Sequence, residues 1–293
     1  LLGLPLLPAG VLTGLVTFAI LVLERRGFRP LEAVITGFVG VIAVCYLVET
    51  LLSHPDWRQI AYHAWVPRFR GAESLLLASG ILGATVMPHV VFLHSALTQG
   101  RIVVRDPAQL RRLFRYECLD VTLAMGLAGL VNGAMLVMAA ATFFGAGRTG
   151  VGTIEEAHQT LRPLLGVASS TIFAISLLAS GLSSSAVGTL AGQVIMQGFV
   201  RLPIRVWVRR LATMLPALLV IALGWDPTRS LVLSQVVLSF GLPFALVPLL
   251  LFTARRDLMG VLVNRRATTA AAWLMAVLIV CLNGFLLYRT AGG

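Results

Sequence analysis

The sequence contains no lysine, only 12 acidic residues and three cysteines in 293 residues. Charged residues make up 12% of the chain, about half of what a soluble domain uses to cover its surface. With 58% hydrophobic residues and a mean hydropathy of +0.90, a water-soluble fold is excluded. Cys45, Cys118 and Cys281 are too far apart for a metal-ligand spacing and imply no disulfide framework. There is no basic leader with a small-residue cleavage site. An apolar run begins at Leu1 without an initiator Met, so the natural N-terminus is expected upstream and the chain is read as a fragment. No carboxylate falls in the middle of an apolar run; Glu32 and Glu49 lie near the ends of the second one.

What is present is a series of apolar runs of about 20 residues, each long enough to cross a hydrocarbon core of roughly 30 Å. Eight spans are expected near residues 3–23, 30–52, 74–98, 119–145, 166–199, 211–225, 230–252 and 268–290. The fold class is an all-α polytopic membrane protein, read as a single transmembrane domain over 1–293. The fifth run is long and predicts a bend near Gly181–Ser185 or a projection beyond the bilayer. The sixth is short, and its inner end is expected within the arginine-rich stretch before it.

The net charge of +11 resembles a nucleic-acid signal, but nearly all 23 arginines sit between the runs. There they meet anionic headgroups, so the partner is a lipid bilayer and nucleic acid is excluded. The connections after spans one, three, five and seven hold 16 of the arginines, and the alternate ones with the C-terminal end hold seven. The positive-inside bias therefore places the first set in the cytoplasm and both chain ends outside. Trp57, Trp65, Trp207, Trp225 and Trp273 fall at or near span ends, where such rings settle at headgroup level. Asp106-Pro107 opens an amphipathic helix expected to lie on the inner leaflet, with Arg111, Arg112 and Arg115 on one face. Thr153 and Glu156 have capping-box spacing ahead of a short outer helix.

The third run carries the chemistry: Gly83-Ala84-Thr85-Val86-Met87-Pro88-His89, followed by Phe92-Leu93-His94-Ser95. Pro88 cannot donate to the Ala84 carbonyl and crowds it, and Gly80 and Gly83 weaken the preceding turn. A carbonyl without its helix partner at mid-membrane depth is costly, and transporters place ions at such breaks. Met87 adds a soft sulfur beside hard oxygens, which favours manganese, iron, cobalt or cadmium over calcium or magnesium. A proline or methionine in a span is also common packing, so residue type alone leaves the packing reading open. His89 is an ionisable group at the same depth, a candidate for proton coupling, and His94 lies one turn further toward the cytoplasm.

These residues resemble the sixth-helix signature of the Nramp metal transporters, with Val90-Val91 departing from the family's usual Asn after the His. The resemblance extends along the chain as span order and loop charge, matching family helices four to eleven. It implies a LeuT-like fold of two inverted five-helix repeats and proton-coupled import of manganese or iron across the bacterial cytoplasmic membrane. It implies no catalysis and no resident cofactor. By resemblance, Ala84 and Met87 hold the metal, and Gln235 faces it, unless its amide simply bonds a neighbouring helix. Asn132 becomes a gate or supporting contact, with interhelical packing as its alternative. Arg210 becomes a proton-route residue, with an ordinary cytoplasmic anchor as its alternative. The Asp and Asn ligands of the family lie on helices this chain lacks, expected upstream or as a separate chain. A LeuT-like amino-acid or sodium symporter is the competing reading, and the thioether at the break argues against it. A metal-dependent intramembrane hydrolase fails because His89 and His94 are five apart with no Glu between.

Overall fold

The computed structural model describes all residues except 1–3, 67, 69–73, 75–77, 79–80, 82–83, 100–101, 105, 149, 201–204 and 293. Among the described residues the chain is helical, without strands. In order, α1 spans Leu6–Val22 and ends in a 3₁₀ turn, Leu23–Arg26; α2 spans Phe28–Leu52; α3, Trp57–Trp65; and α4, Pro88–Gln99. Next come α5, Pro107–Ala139, with a π-helical turn Ala140–Phe144; α6, Ile154–Leu165; and α7, Val167–Ile195, with a second π turn Met196–Val200. The chain ends with α8, Val206–Ala222; α9, Pro227–Thr253; a single turn α10, Arg256–Met259; and α11, Arg266–Gly292.

Among the described residues, five segments are long and apolar enough to cross a membrane: Phe28–Leu52, Pro107–Phe144, Val167–Gly198, Pro227–Thr253 and Arg266–Phe285. Leu6–Val22 is apolar but shorter. Their outer surfaces stay apolar, with Leu123, Leu130 and Phe244 exposed by 65%, 74% and 81%. Side chains this greasy on a fully formed helix need hydrocarbon as their solvent.

Two expectations are modified and a third holds. The amphipathic segment after Pro107 is not a separate surface helix. It continues without a break into the span, giving 38 residues and a length of about 57 Å. No Gly or Pro separates the two parts, so the helix propagates and its arginine-bearing turns extend past the apolar stretch. The fifth run shows no break at Gly181–Ser185; α7 stays helical to Ile195. The sixth span does begin inside the arginine-rich stretch, at Val206.

By contacts the chain divides into two compact units. The first comprises Leu1–Arg68, Thr122–Gln193 and Pro203–Thr228; the second, Phe69–Val121, Val194–Leu202 and Arg229–Gly293. In the first, α1 packs on α8 through small residues. A Cβ added to Gly10 would lie 3.0 Å from Ile221 Cδ1, and one on Gly14 would lie 3.4 Å from Met214 Cε. The fully buried Thr17 donates to Ser185 Oγ at 3.1 Å, joining α1 to α7. The serines of α7 thus serve close helix packing.

The contact between α7 and α8 is tighter still. A Cβ on Gly192 would sit 2.4 Å from Thr213 Cγ2. Thr213 cannot rotate away freely, because its hydroxyl donates to the Arg210 carbonyl at 2.8 Å. Gly192→Ala therefore forces the helices apart and is expected to cost about 1–3 kcal/mol. Unchanged thermal unfolding of the complete protein carrying this substitution would contradict that expectation.

The outer helix α6 forms its capping box as expected. Glu156 accepts from the Gly152 and Thr153 backbone N–H groups at 2.9 and 3.1 Å, and Thr153 Oγ1 accepts from the Glu156 N–H at 3.2 Å. The Gly152 and Thr153 donors hold the Glu156 carboxyl below its usual 4.5. Its contribution is present above the unfolded value and is lost as the pH falls through the depressed one. Amide protection in the first turn of α6 should therefore decline in acid, and Glu156→Gln should remove most of that pH dependence.

Candidate metal site at an interrupted helix

The second unit holds the interrupted helix. Ala84 and Thr85 are helical, Val86 bends, Met87 has no regular structure, and α4 starts at Pro88. The local cause is visible: Pro88 has no N–H to offer the Ala84 carbonyl, and the first turn closes instead from the Val90 N–H to the Met87 carbonyl at 3.1 Å. Thr85 donates its hydroxyl back to the Ile81 carbonyl at 2.7 Å, a bond that favours bending. Gly83, expected to help the break, lies outside the described residues. Proline alone does not dictate the interruption. Pro216 lies within continuous α8, and Pro243 and Pro248 within continuous α9.

Ala84, Met87 and His89 are half-buried, and Pro88 is buried. The close neighbour within this unit is α9, where a Cβ on Gly241 would lie 3.3 Å from Pro88 Cγ. A side chain here would press on the Pro88 ring, and glycine avoids that contact. Gln235 stands six residues before Gly241, about 9 Å back along α9. In the topology read from the arginines, α9 and the broken helix run in the same sense, so Gln235 lies back toward the level of Ala84–Met87. Its side-chain oxygen is buried and accepts no hydrogen bond. An orphaned amide oxygen is costly and marks a place where another donor or a cation fits.

The site thus offers a thioether, a carbonyl with no N–H donor four residues on and a free amide oxygen. Among the described residues no three His, Cys, Asp or Glu side chains converge to hold a metal. A dication here needs at least one carboxylate from elsewhere to offset its charge.

The other candidates are dispersed. His94 is exposed on α4, and its Nε2 lies 3.7 Å from Glu117 Oε1 of α5. Asn132 is exposed on α5. Arg210 belongs to the first unit, where it is 5% exposed. Its Nη2 donates to Glu24 Oε2 and its Nε to Gln193 Oε1 at 3.3 Å. Its acid partner, Glu24, is 186 positions away in sequence, and no local pattern points to the pairing. Glu49, placed by the sequence near the end of the second run, is fully buried in α2. The signal was present: Ile42, Tyr46, Glu49 and Thr50 share one helical face by their i, i+3, i+4 spacing.

A family profile, Nramp (natural resistance-associated macrophage protein-like), matches residues 1–289. Among curated proteins, the divalent metal cation transporter MntH of Deinococcus radiodurans is 57% identical over 293 residues, covering all of this chain and 67% of that protein. The MntH proteins of Acidiphilium cryptum and Bacillus subtilis are 54% and 48% identical, covering 99% of this chain and 66% and 68% of theirs. Among solved structures, the manganese transporter of Eremococcus coleocola, bound to an aromatic bis-isothiourea compound, superposes with a TM-score of 0.83 at 35% identity. It covers 96% of this chain and 64% of that one; a mutant of the same transporter gives a TM-score of 0.81 at 34%. The chain therefore spans about two thirds of the length of its relatives. They carry the matched segment within longer single chains, which gives no support to a separate N-terminal chain. With long apolar helices and bacterial relatives, this is a multi-pass protein of the bacterial cytoplasmic membrane, not an enzyme. Fold, membrane class and a match along almost the whole sequence agree: the chain belongs to the Nramp family, with its LeuT-like fold.

Proposed function

We propose that this chain is the greater part of a divalent-metal importer selective for manganese and iron and driven by protons through alternating access. The observation that carries the reading is the interruption at Val86–Met87, with a sulfur and a carbonyl on one side and the unpaired Gln235 oxygen on the neighbouring helix. The relatives named as divalent metal cation transporters support the class of cargo. Softness sets the preference within that class, because a thioether ligand tolerates manganese and iron better than calcium or magnesium. In this proposal His89, directly after the break, and buried Arg210 serve proton coupling. His94 and Asn132 are at most peripheral, since both are exposed.

The test is uptake by the complete protein in proteoliposomes. Manganese accumulation is expected, faster when the outside is more acidic. No manganese uptake under any gradient, with sodium-driven amino-acid uptake instead, would replace this reading with the LeuT-like symporter.

A further inference from the structure

Glu49 is a charged residue type placed where charge is least tolerated. It is 0% exposed, and neither carboxyl oxygen has a hydrogen-bond partner. The cluster beside it is largely apolar. Tyr46, one turn inward on α2, joins a buried cluster with Met138 of α5, Leu161 of α6 and Phe173 of α7. Thr50, adjacent to Glu49, donates to the Tyr46 carbonyl at 2.7 Å and reaches the Ala134 carbonyl of α5 at 3.5 Å, so this face of α2 is pressed onto α5. Two more hydroxyls on these elements are buried and unpaired: Thr142 Oγ1, in the π turn that ends α5, and Ser169 Oγ, in the first turn of α7.

No counter-charge is present among the described residues around it. On α2 itself the titratable neighbours are Cys45 and Tyr46, both neutral weak acids. The packed faces of α5 and α7 present Ala134, Met138 and Thr142, and Ser169, Phe173 and Ser176, none of which carries charge. On α6, Glu155 and Arg162 are exposed, and Glu156 is engaged in the cap. His158 is half-buried with an unpaired Nδ1, but forms no ion pair with Glu49. An ionised carboxylate buried without a donor or cation is costly in such a place. A neutral carboxylic acid is less so, because it carries its own O–H donor and retains an acceptor for a neighbouring hydroxyl.

We propose that Glu49 is a proton-binding site of the first unit, holding its proton while the outer ends of α2, α5, α6 and α7 are packed together and releasing it when that packing opens to water. On release the O–H bond breaks, the electron pair stays on the carboxylate and the proton passes to the entering water. The surrounding elements suit such an opening. A π turn, common at functional positions, ends α5, and α6 joins α7 only through Gly166 at φ +91°. The inference rests on burial and missing partners, and it stands whether or not the metal reading does.

Infrared difference spectroscopy on the complete protein in lipid nanodiscs tests it. Wild type minus Glu49→Gln at neutral pH should contain the carbonyl band of a protonated carboxylic acid, shifted in heavy water and absent from the variant. A pair of ionised carboxylate bands instead would overturn the proposal. If Glu49→Gln does not accumulate, Glu49→Asp keeps the acid and should move the band; an unchanged spectrum overturns the assignment. Raising the pH should bleach the band together with a loss of amide protection in α6. Bleaching with α6 protection intact would overturn the coupling to packing.

Discussion

On the proposed function, replacing Met87 by Leu in the complete protein should leave it folded but make it admit calcium, lowering the manganese-to-calcium preference on the order of tenfold, or ~1.4 kcal/mol. Leucine nearly matches methionine in volume, so packing at the half-buried position changes little. What disappears is the soft donor of the proposed site. The remaining donors, the Ala84 carbonyl, the Gln235 amide and any carboxylate from outside this chain, are all hard oxygens that suit calcium as well as manganese. Manganese uptake should therefore fall less than calcium exclusion does. Gln235→Leu should behave differently: it removes an oxygen that either cation would use, and should slow uptake of both. The measurement is competitive uptake in proteoliposomes. An unchanged cation preference in Met87→Leu would mean that the sulfur only packs, and the metal reading would lose its main support.

The features readable in the sequence were those with local causes. The break needs only a missing N–H at Pro88 and weak turns before it. The cap on α6 needs Thr153 and Glu156 three residues apart, and the early start of α8 follows from an arginine-rich stretch with no breaker after Pro203. What escaped depends on distant residues or on a weak signal being overruled. The expected bend in α7 rested on Gly181 and three serines, yet the helix, held by the bond from Thr17 to Ser185 and by the close approach at Gly192, runs through them without a break. The separation of the amphipathic segment from the fourth span assumed a boundary that nothing in Tyr116–Asp120 enforces. The burial of Glu49 is set by packing against other helices, which the local pattern of α2 does not report. The same holds for Gln235: its type and place were legible, but its unpaired oxygen emerged only when α9 was folded.

Glu24→Ala should be the most damaging single change to stability in the first unit, at about 3 kcal/mol or more, the cost of stranding a buried charge. The Arg210 and Glu24 side chains are only 6% and 23% exposed, so water offers little replacement solvation. Gln193 accepts one of the guanidinium donors but brings no charge. With Gln193, the pair also ties three elements, the 3₁₀ turn after α1, the C-terminal end of α7 and the second turn of α8, so its loss loosens all of them together. A double-mutant cycle separates these effects. Arg210→Met removes the charge while keeping an unbranched apolar stem, and the double variant E24A/R210M should recover a large part of the loss, because no charge is left unpaired. Unfolding of the complete protein, followed for all four forms, reads the coupling directly. If Glu24→Ala costs less than about 1 kcal/mol, the range of an exposed pair, then Arg210 draws its counter-charge from an acid on another helix, and Glu24 is only a neighbour of the guanidinium.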